Sequence, residues 1–225
     1  MGLAGRILRW AHDARGHGPI RRTIPGAAAI AALVLVAYLP ALQAGYIWDD
    51  DWYLTANPHV QSPDGLSRIW VPGYTPQYYP LVFTSFWIEH ALWDMEPAGY
   101  HLVNILLHAV NALLVWRVMR RLGLPGAWLI GAVFAIHPAH VESVAWITER
   151  KNVLSACCYL LAGLAYLRFD DHRREQDAGE GWGWYGAALL LYVAALLSKS
   201  VTCSLPAALL LVMLYLRRSV PVNEP

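Results

Sequence analysis

The sequence has little formal charge. Asp, Glu, Lys and Arg make up 15% of its 225 residues, whereas soluble domains carry about 25%. The apolar excess is clustered into uncharged stretches that fall in or near the ~17–25 residues needed to cross a bilayer. This pattern excludes a soluble enzyme and a disordered chain, and it predicts an all-α, polytopic membrane protein with about six transmembrane helices. The six stretches are Thr23–Trp48, Tyr100–Trp116, Leu122–Val141, Asn152–Leu167, Gly181–Ser198 and Ser200–Leu216.

The sequence also lacks a net charge of either sign, because 17 basic residues nearly cancel 16 acidic ones. The balance gives no indication of a nucleic-acid partner. With the N-terminus inside and six spans, thirteen basic residues fall on the inner side and four on the outer side. This asymmetry places both termini in the cytoplasm. The inner set is Arg6, Arg9, Arg15, Arg21, Arg22, Arg117, Arg120, Arg121, Arg168, Arg173, Arg174, Arg217 and Arg218, and the outer set is Arg68, Arg150, Lys151 and Lys199.

Cysteine is scarce, and its spacing excludes a disulfide framework. Cys157, Cys158 and Cys203 all lie inside predicted spans, where cysteine behaves as a small apolar core residue. The first apolar run is too long for a signal-peptide core, so we interpret it as a retained signal-anchor. The sequence thus divides into a basic cytoplasmic lead (1–22), a transmembrane module (23–217) that includes one long outer loop (49–99), and a cytoplasmic tail (218–225).

The outer loop is predicted to contain helices. Gly65–Val71 can form a short helix, and Tyr78–Trp93 is apolar and rich in aromatic residues, which favours the headgroup region of a membrane. Pro80 is tolerated there because it falls in a first helical turn. We interpret the second segment as a helix lying on the outer leaflet. A seventh crossing is the alternative, but it would invert every later segment and remove the charge asymmetry.

Three adjacent carboxylates, Asp49, Asp50 and Asp51, follow the first span directly. Mutual repulsion should raise the pKa of at least one of them unless a cation lies nearby. A carboxylate of this kind at a membrane surface is a candidate general base or metal ligand. The equally weighted alternative is a solvated acidic cap that helps to fix the topology.

The outer end of the third span reads His137-Pro138-Ala139-His140-Val141-Glu142. Pro138 should break or bend the helix and leave His140 and Glu142 in an irregular segment. Two histidines and a carboxylate could ligate a divalent metal, although their spacing matches no known zinc helix motif. Hydrogen bonding to a polar ligand or to the acidic loop is the favoured interpretation.

The outer cations Arg150, Lys151 and Lys199 form a third candidate group. The chain has fifteen Arg and two Lys, and both lysines fall on the outer side. A buried charge at membrane depth costs about 3 kcal/mol, so a partner or a function should offset it. Phosphate binding at the membrane surface uses these residue types, and snorkelling to lipid headgroups is the alternative.

A polar stripe runs along the second span, formed by His101, Asn104, His108 and Asn111. These positions fall on one face of a helix, and polar side chains in a membrane pack against other helices. Interhelical hydrogen bonding is therefore the expected role. Only His101, at the outer end, is a site candidate.

Several of these segments together resemble the TMTC-type protein O-mannosyltransferases, and in particular bacterial membrane proteins that join such a region to tetratricopeptide repeats. Each motif alone is weak, but four occur in the same order from about residue 45 to residue 200. They are Tyr46-Ile47-Trp48-Asp49-Asp50 with Asn57-Pro58-His59-Val60; Tyr100-His101-Leu102-Val103-Asn104 with Leu107-His108; His137–Ala145 with Glu149–Ser155; and Ser198-Lys199.

The resemblance implies a GT-C glycosyltransferase fold with its active site at the outer face of the bacterial inner membrane. The donor would be a polyprenyl-phosphate sugar, most simply mannose, and the acceptor a Ser or Thr hydroxyl of an exported protein. Asp49 or Asp50 would be the catalytic base. The outer cations would hold the lipid phosphate, and the remaining site residues would shape the same cavity. The substrate-binding set is Arg150, Lys151, Lys199, His137, His140, Glu142 and His101.

The sequence departs from this family in two respects. The family's Ser-Lys-Glu-type motif is Ser198-Lys199-Ser200 here, which loses a carboxylate, and six spans are fewer than GT-C enzymes usually have. No tetratricopeptide repeat follows Leu216, so we expect either the N-terminal part of a larger protein or the product of a split or decayed gene. The rival interpretations are a non-catalytic scaffold or fragment, and a transporter or flippase in which the polar stripe and Lys199 line a path.

The charge asymmetry makes a testable prediction about topology. In a background without the three native cysteines, a cysteine introduced near Ser62 should react with an impermeant thiol reagent in intact cells, because that loop is expected outside. A cysteine near Gly179 should react only after the cells are permeabilised. The opposite labelling would refute the orientation and the outer location of the site.

Overall fold

A computed structural model describes residues 20–174 and 181–219. Within these ranges every regular element is helical, which confirms the all-α prediction. The longer helices are α1 (Ile20–Tyr38), α4 (Pro80–Trp93), α5 (Pro97–Arg121), α6 (Ala127–Ile136), α8 (Arg150–Arg174), α9 (Gly181–Ser198) and α10 (Leu205–Ser219). The short helices are α2 (Pro58–Gln61), α3 (Gly65–Ile69) and α7 (Val141–Ala145), and single 3₁₀ or π turns cover Leu39–Gln43, Asp51–Thr55, Pro138–His140, Ile147–Glu149 and Ser200–Ser204.

Five segments of the described chain are long and apolar enough to cross a membrane, and a bent pair of helices makes six. This confirms a multi-pass membrane protein with about six spans. The segments are Thr23–Gln43, Pro97–Arg121, Ile147–Arg174, Gly181–Ser198 and Ser200–Arg217, with the pair Ala127–Ile136 and Pro138–Ala145 as the sixth. Large apolar side chains such as Leu129, Leu190 and Leu211 are more than half exposed, as expected where lipid covers the surface.

The third span is bent rather than continuous. Helix α6 begins five residues later than the predicted stretch and ends at Ile136, and the chain turns by 52° before it continues to Ala145. His137 has extended backbone angles immediately before Pro138, as the residue before a proline prefers. The predicted break at Pro138 is confirmed. Glu142, however, lies in the short helix α7 and not in an irregular segment.

The polar stripe of α5 lies at the centre of the bundle, and its four side chains are at most 1% exposed. The Asn104 amide donates to the Trp146 carbonyl over 2.9 Å, and the Asn111 amide donates to the Val153 carbonyl over 2.8 Å. A ring nitrogen of His108 lies 3.1 Å from the Ala135 carbonyl oxygen. The expected interhelical hydrogen bonding is confirmed, and it fixes α5 against α6 and α8.

The outer loop is folded. Helices α3 and α4 coincide with the two predicted helical segments to within two residues at each end. Helix α4 packs against α9, α5 and α8. One face of α4 is buried in a cluster of aromatic and aliphatic side chains. That cluster comprises Tyr53, Leu54, Val60, Ile69, Val82, Phe83, Phe86, Tyr100 and Ile147. The loop therefore forms a packed cap on the helix ends; its depth relative to the lipid surface stays a prediction.

Contacts between helix ends show which ends of the spans lie together. The Trp128 indole donates to the Gly26 carbonyl over 3.0 Å, and Arg121 pairs with Asp171. We call the end of the bundle that contains these four residues the arginine end. The opposite end contains Asp50, Arg150 and Lys199, and we call it the site end. The charge asymmetry predicts that the arginine end faces the cytoplasm.

The prediction that the cysteines are buried core residues is confirmed for Cys157 and wrong for Cys203. All three cysteines are free, and Cys157 is buried as expected for a core residue. Cys203 is exposed instead, because it lies in the 3₁₀ turn Ser200–Ser204 that precedes α10.

Candidate active site

A buried ion pair joins the outer loop to the transmembrane helices. The Arg150 guanidinium, at the start of α8, contacts both carboxylate oxygens of Glu89 on α4. The two side chains are 0% and 6% exposed. Arg150 also donates to the Asn104 amide oxygen, to the Ser85 hydroxyl over 3.1 Å and to the Tyr100 carbonyl over 3.0 Å. All of these partners belong to the protein.

The contacts around the Arg150–Glu89 pair indicate that it stabilises the fold. The Phe86 ring centroid lies 5.1 Å from the guanidinium carbon of Arg150, which adds a cation–π contact to the ion pair. Burial raises the pKa of the Glu89 carboxyl, and Arg150 opposes that rise. With its donors occupied, Arg150 has no group left for a lipid phosphate. The sequence analysis required a partner or a function to offset this charge, and Glu89 is the partner.

Asp50 is the buried member of the acidic triplet, with 0% exposure. Its carboxylate accepts the Ile47 N–H over 2.9 Å and the Thr148 N–H over 3.0 Å. Burial raises the pKa of Asp50, while these N–H donors and nearby His101 act in the opposite direction. We had expected repulsion within the triplet to be the cause of a raised pKa, but desolvation is the main one.

The other two triplet carboxylates lie at the surface. Asp49 and Asp51 are exposed, and the Thr55 hydroxyl donates to Asp51 over 2.7 Å. Asp51 begins a helical turn that runs to Thr55. Trp48 has a positive φ of 48°, and its ring packs edge-on against Trp146 with centroids 4.9 Å apart. The contacts of Trp48 and Asp50 with the 146–148 segment thus fix Asp49 between them.

The two lysines belong to one polar network next to this segment. Lys151 Nζ lies 2.7 Å from a carboxylate oxygen of Glu149. The Asn152 amide donates to Glu149 and, over 3.0 Å, to the Ser143 hydroxyl, and its oxygen accepts from Lys199. Glu149 therefore lies between the two cations, one contacted directly and the other through Asn152.

The acidic loop and the cations meet at Tyr53. Its backbone N–H donates to the Asp49 carbonyl over 3.1 Å, and Lys151 Nζ lies 5.5 Å from its ring centroid. Together with the bond from Thr148 to Asp50, this contact joins Asp49, Asp50, Lys151 and Lys199 into one continuous region. Asp49 joins this region through its backbone carbonyl, and its exposed carboxylate makes no ion pair with either lysine within residues 20–174 and 181–219.

The histidine motif lies to one side of this region. His137 and Glu142 are exposed, and His140 is partly buried with its ring centroid 4.3 Å from that of Phe134. No hydrogen bond or ion pair within residues 20–174 and 181–219 joins His137 or Glu142 to the lysines or to Asp50. Ser143, in the same segment, supplies the link through Asn152.

His101, on α5, lies beside Asp50 and is 1% exposed. Its ring lies near the backbone of Ala44, Gly45 and Ala145, but neither ring nitrogen makes a hydrogen bond of normal geometry in the part of the chain that the structure describes. In that same part, no group of three or more His, Cys, Asp or Glu side chains is close enough to hold a metal ion. A divalent metal would therefore need ligands beyond those that the histidine motif supplies.

Sequence reasoning missed Glu89, Glu149 and Asn152. Glu89 did carry a signal, since it is the only acidic residue in the otherwise apolar α4. Glu149 and Asn152 flank Arg150 and Lys151 in the chain. Their role depends on the 3₁₀ turn Ile147–Glu149, which no periodic pattern predicts.

The fold and this region define the class of the protein: a multi-pass helical membrane protein with a polar, charged site where its helices end. Comparison with proteins of similar sequence narrows this class further. The chain is 37% identical to "Protein O-mannosyl-transferase Tmtc1" of Drosophila melanogaster over 191 residues, which are 79% of this chain and 21% of that protein. It is 37% identical to "Protein O-mannosyl-transferase Tmtc2" of the same organism over 81% of this chain and 21% of that protein.

A third relative, "Protein O-mannosyl-transferase TMTC1" of Homo sapiens, is 33% identical over 69% of this chain and 20% of its own length. The chain is thus related to the TMTC-type protein O-mannosyltransferases, as its motifs indicated. It spans about a fifth of the length of these relatives. No protein-family model and no solved structure matches it.

The buried ion pair leads to a prediction about stability. Glu89→Gln should leave the buried Arg150 charge uncompensated and lower the free energy of unfolding by about 3–5 kcal/mol. Chemical denaturation of the purified protein in detergent micelles measures this loss. Arg174→Gln, which breaks the exposed pair with Asp170, is the control and should cost at most about 1 kcal/mol. Equal losses in the two variants would contradict a structural role for the buried pair.

Proposed function

We propose that this chain is the membrane module of a glycosyltransferase. It takes a sugar, most simply mannose, from a polyprenyl-phosphate donor and transfers it to a Ser or Thr hydroxyl of an exported protein at the outer face of a bacterial inner membrane. The observation that carries the proposal is the continuous region that joins the exposed Asp49 to Lys151 and Lys199. The names of the relatives support glycosyl transfer as the reaction.

The donor phosphate would bind at the lysines. Lys151 and Lys199 are held by Glu149 and Asn152, and an ammonium group can exchange such partners for phosphate oxygens without a change of backbone. Arg150 is excluded from direct contact because its donors are used inside the protein. The sequence-based assignment of Arg150 to phosphate binding is therefore replaced here by a positioning role.

The acceptor hydroxyl would be activated by Asp49. Asp49 is exposed, whereas both oxygens of Asp50 accept backbone N–H groups in a buried position. In a single displacement, the hydroxyl proton moves to Asp49 as the oxygen attacks the anomeric carbon. The bond from that carbon to the phosphate oxygen breaks, its electron pair stays on the phosphate, and the lysines stabilise the new charge. The anomeric configuration inverts.

The remaining residues would have supporting roles. Asp50 fixes the loop to Thr148, and His101 lies next to it. His137, His140 and Glu142 would line the approach to the site, to which Ser143 connects their segment. A transporter is less well supported, because the polar groups of Asn104, Asn111 and His108 bond to backbone carbonyls and not to a path.

The triplet gives three different expectations for Asn substitutions. Asp49→Asn should lower sugar transfer about 10²–10⁴-fold by removing the base, with unfolding unchanged. Asp50→Asn should lower both transfer and stability, because one of its oxygens is replaced by a group that cannot accept the N–H of Ile47 or Thr148. Asp51→Asn is the control and should change both quantities little.

Transfer of radiolabelled mannose from a mannosyl polyprenyl phosphate to a Ser/Thr peptide, in membranes containing each variant, measures these effects. Thermal unfolding of the purified variants separates chemistry from stability. Mild and equal effects at all three positions would mean that the triplet is a solvated cap. A parent chain without transfer would count against an enzyme that is sufficient by itself.

Phosphate binding can be tested without turnover. Lys199→Ala and Lys151→Ala should each weaken binding of a polyprenyl phosphate by about 1–3 kcal/mol, as expected for a charge-assisted hydrogen bond. Arg68→Ala removes an exposed cation from the same outer loop and should leave binding unchanged. Native mass spectrometry of the protein titrated with the lipid gives the affinities. If the lysine variants bind as tightly as the parent, the lysines are headgroup anchors.

A further inference from the structure

The arginine end of the bundle contains a second charged feature that the proposed reaction does not use. A cleft of about 200 Å³ opens there between α5, α8 and α9. Arg117 and Arg121 of α5 and Arg168 of α8 line it on one side, and Trp184 of α9 lines it on the other. Since the site end is at the far ends of the same helices, this cleft is separate from the candidate active site.

Two of the three arginines have no anionic partner among residues 20–174 and 181–219. Arg121 pairs with Asp171 and donates to the Leu167 carbonyl over 3.1 Å. Arg117 and Arg168 are exposed, and neither guanidinium group makes an ion pair or a hydrogen bond within the described parts of the chain. Arg117 is also close enough to Arg168, Arg120 and Arg121 to be repelled by all three. An anion placed between Arg117 and Arg168 would relieve that repulsion.

The nearest acidic groups are already used. Asp171 pairs with Arg121, and Asp170 lies 2.7 Å from the Nε of Arg174. Arg120, one residue from Arg121, points to a different place and has its guanidinium carbon 5.5 Å from the Trp116 ring centroid. The described residues therefore leave a concentrated positive charge at the mouth of the cleft.

The deeper wall of the cleft is apolar. Leu161 and Leu164 of α8 and Leu191 of α9 line it, and the small side chains of Ala165 and Ala187 leave it open. Leu161 lies seven residues before Arg168, which corresponds to about 10 Å along a helix. A ligand that fits both parts has an anionic head, a slender hydrocarbon chain and access from the bilayer. Trp184 at the mouth suits the interface between headgroups and chains.

We propose that this cleft is a binding site for an anionic phospholipid of the leaflet at the arginine end. Its phosphate contacts Arg117 and Arg168, with Arg121 beside them, and the first part of one acyl chain lies between α8 and α9. Basic pockets between transmembrane helices are suited to anionic lipid headgroups. By the charge asymmetry, this leaflet is the cytoplasmic one. The lipid would join the ends of α5, α8 and α9.

The test is equilibrium lipid binding to the purified 225-residue chain in detergent micelles, measured by native mass spectrometry. Phosphatidylglycerol is compared with phosphatidylcholine of the same acyl chains, so that only the headgroup charge differs. We expect the parent to prefer phosphatidylglycerol. The double variant Arg117→Gln/Arg168→Gln should bind it about 30-fold more weakly, since each arginine near a membrane surface contributes about fivefold.

Two matched controls separate a built site from general attraction to charge. Arg120→Gln removes one positive charge from the same helix outside the cleft lining, and should weaken binding much less than the single variant Arg117→Gln. Ala187→Leu keeps every charge but fills the apolar part, and should weaken phosphatidylglycerol binding as strongly as the arginine changes do. Val193→Leu, on the same helix but outside the cleft lining, is its control and should have no effect.

Three results would overturn the proposal. Equal losses for Arg120→Gln and for the single variant Arg117→Gln would show that bulk charge alone attracts the lipid. Unchanged binding by Ala187→Leu would show that no acyl chain enters the cleft. Displacement of phosphatidylglycerol by inorganic phosphate alone would identify a free-phosphate site. All readouts are independent of sugar transfer, so a failure here leaves the proposed function untouched.

Discussion

The pairing of Arg150 with Glu89 is the constraint on which the site end depends. An uncompensated guanidinium costs several kcal/mol when it is removed from water, so α8 can begin where it does only if α4 supplies a carboxylate there. The same guanidinium also binds the Asn104 side chain and the Tyr100 carbonyl of α5. One side chain thus determines the relative positions of a loop helix and two spans, and the neighbouring Glu149 and Lys151 are placed as a consequence.

Much of the fold follows from local sequence patterns. The spans, the break at Pro138 and the interhelical role of Asn104 and Asn111 could be predicted because apolar run length, proline geometry and helical spacing are all short-range properties. The helix over Pro80–Trp93 could be predicted for the same reason. What could not be predicted is which distant groups meet. Glu89 is 61 residues from Arg150, and no periodicity links the two.

In the candidate site too, contacts between residues far apart in the chain could not be predicted from the sequence. Three adjacent aspartates are equivalent in the sequence, yet the structure buries Asp50 and exposes Asp49. The difference arises from two N–H groups, one of them on Thr148, 98 residues away. Similarly, Arg150 and Lys151 are neighbours in the chain, yet Arg150 is enclosed by Glu89 and α5, whereas Lys151 contacts Glu149 and the Tyr53 ring. The proposed phosphate contact uses lysine because its compact ammonium group on a flexible stem can exchange partners.

The bend in the third span has a consequence for the surrounding lipid. Helix α6 has ten residues and is therefore about 15 Å long, half of the roughly 30 Å hydrocarbon core. Beyond it, the chain turns and presents the exposed His137 and Glu142. The bent segment Pro138–Ala145 makes up the remaining length of this span, so polar side chains continue the crossing that the apolar helix begins. Hydration of these side chains would favour local thinning of the bilayer on this flank, which is one of the ways in which a membrane accommodates a short apolar surface.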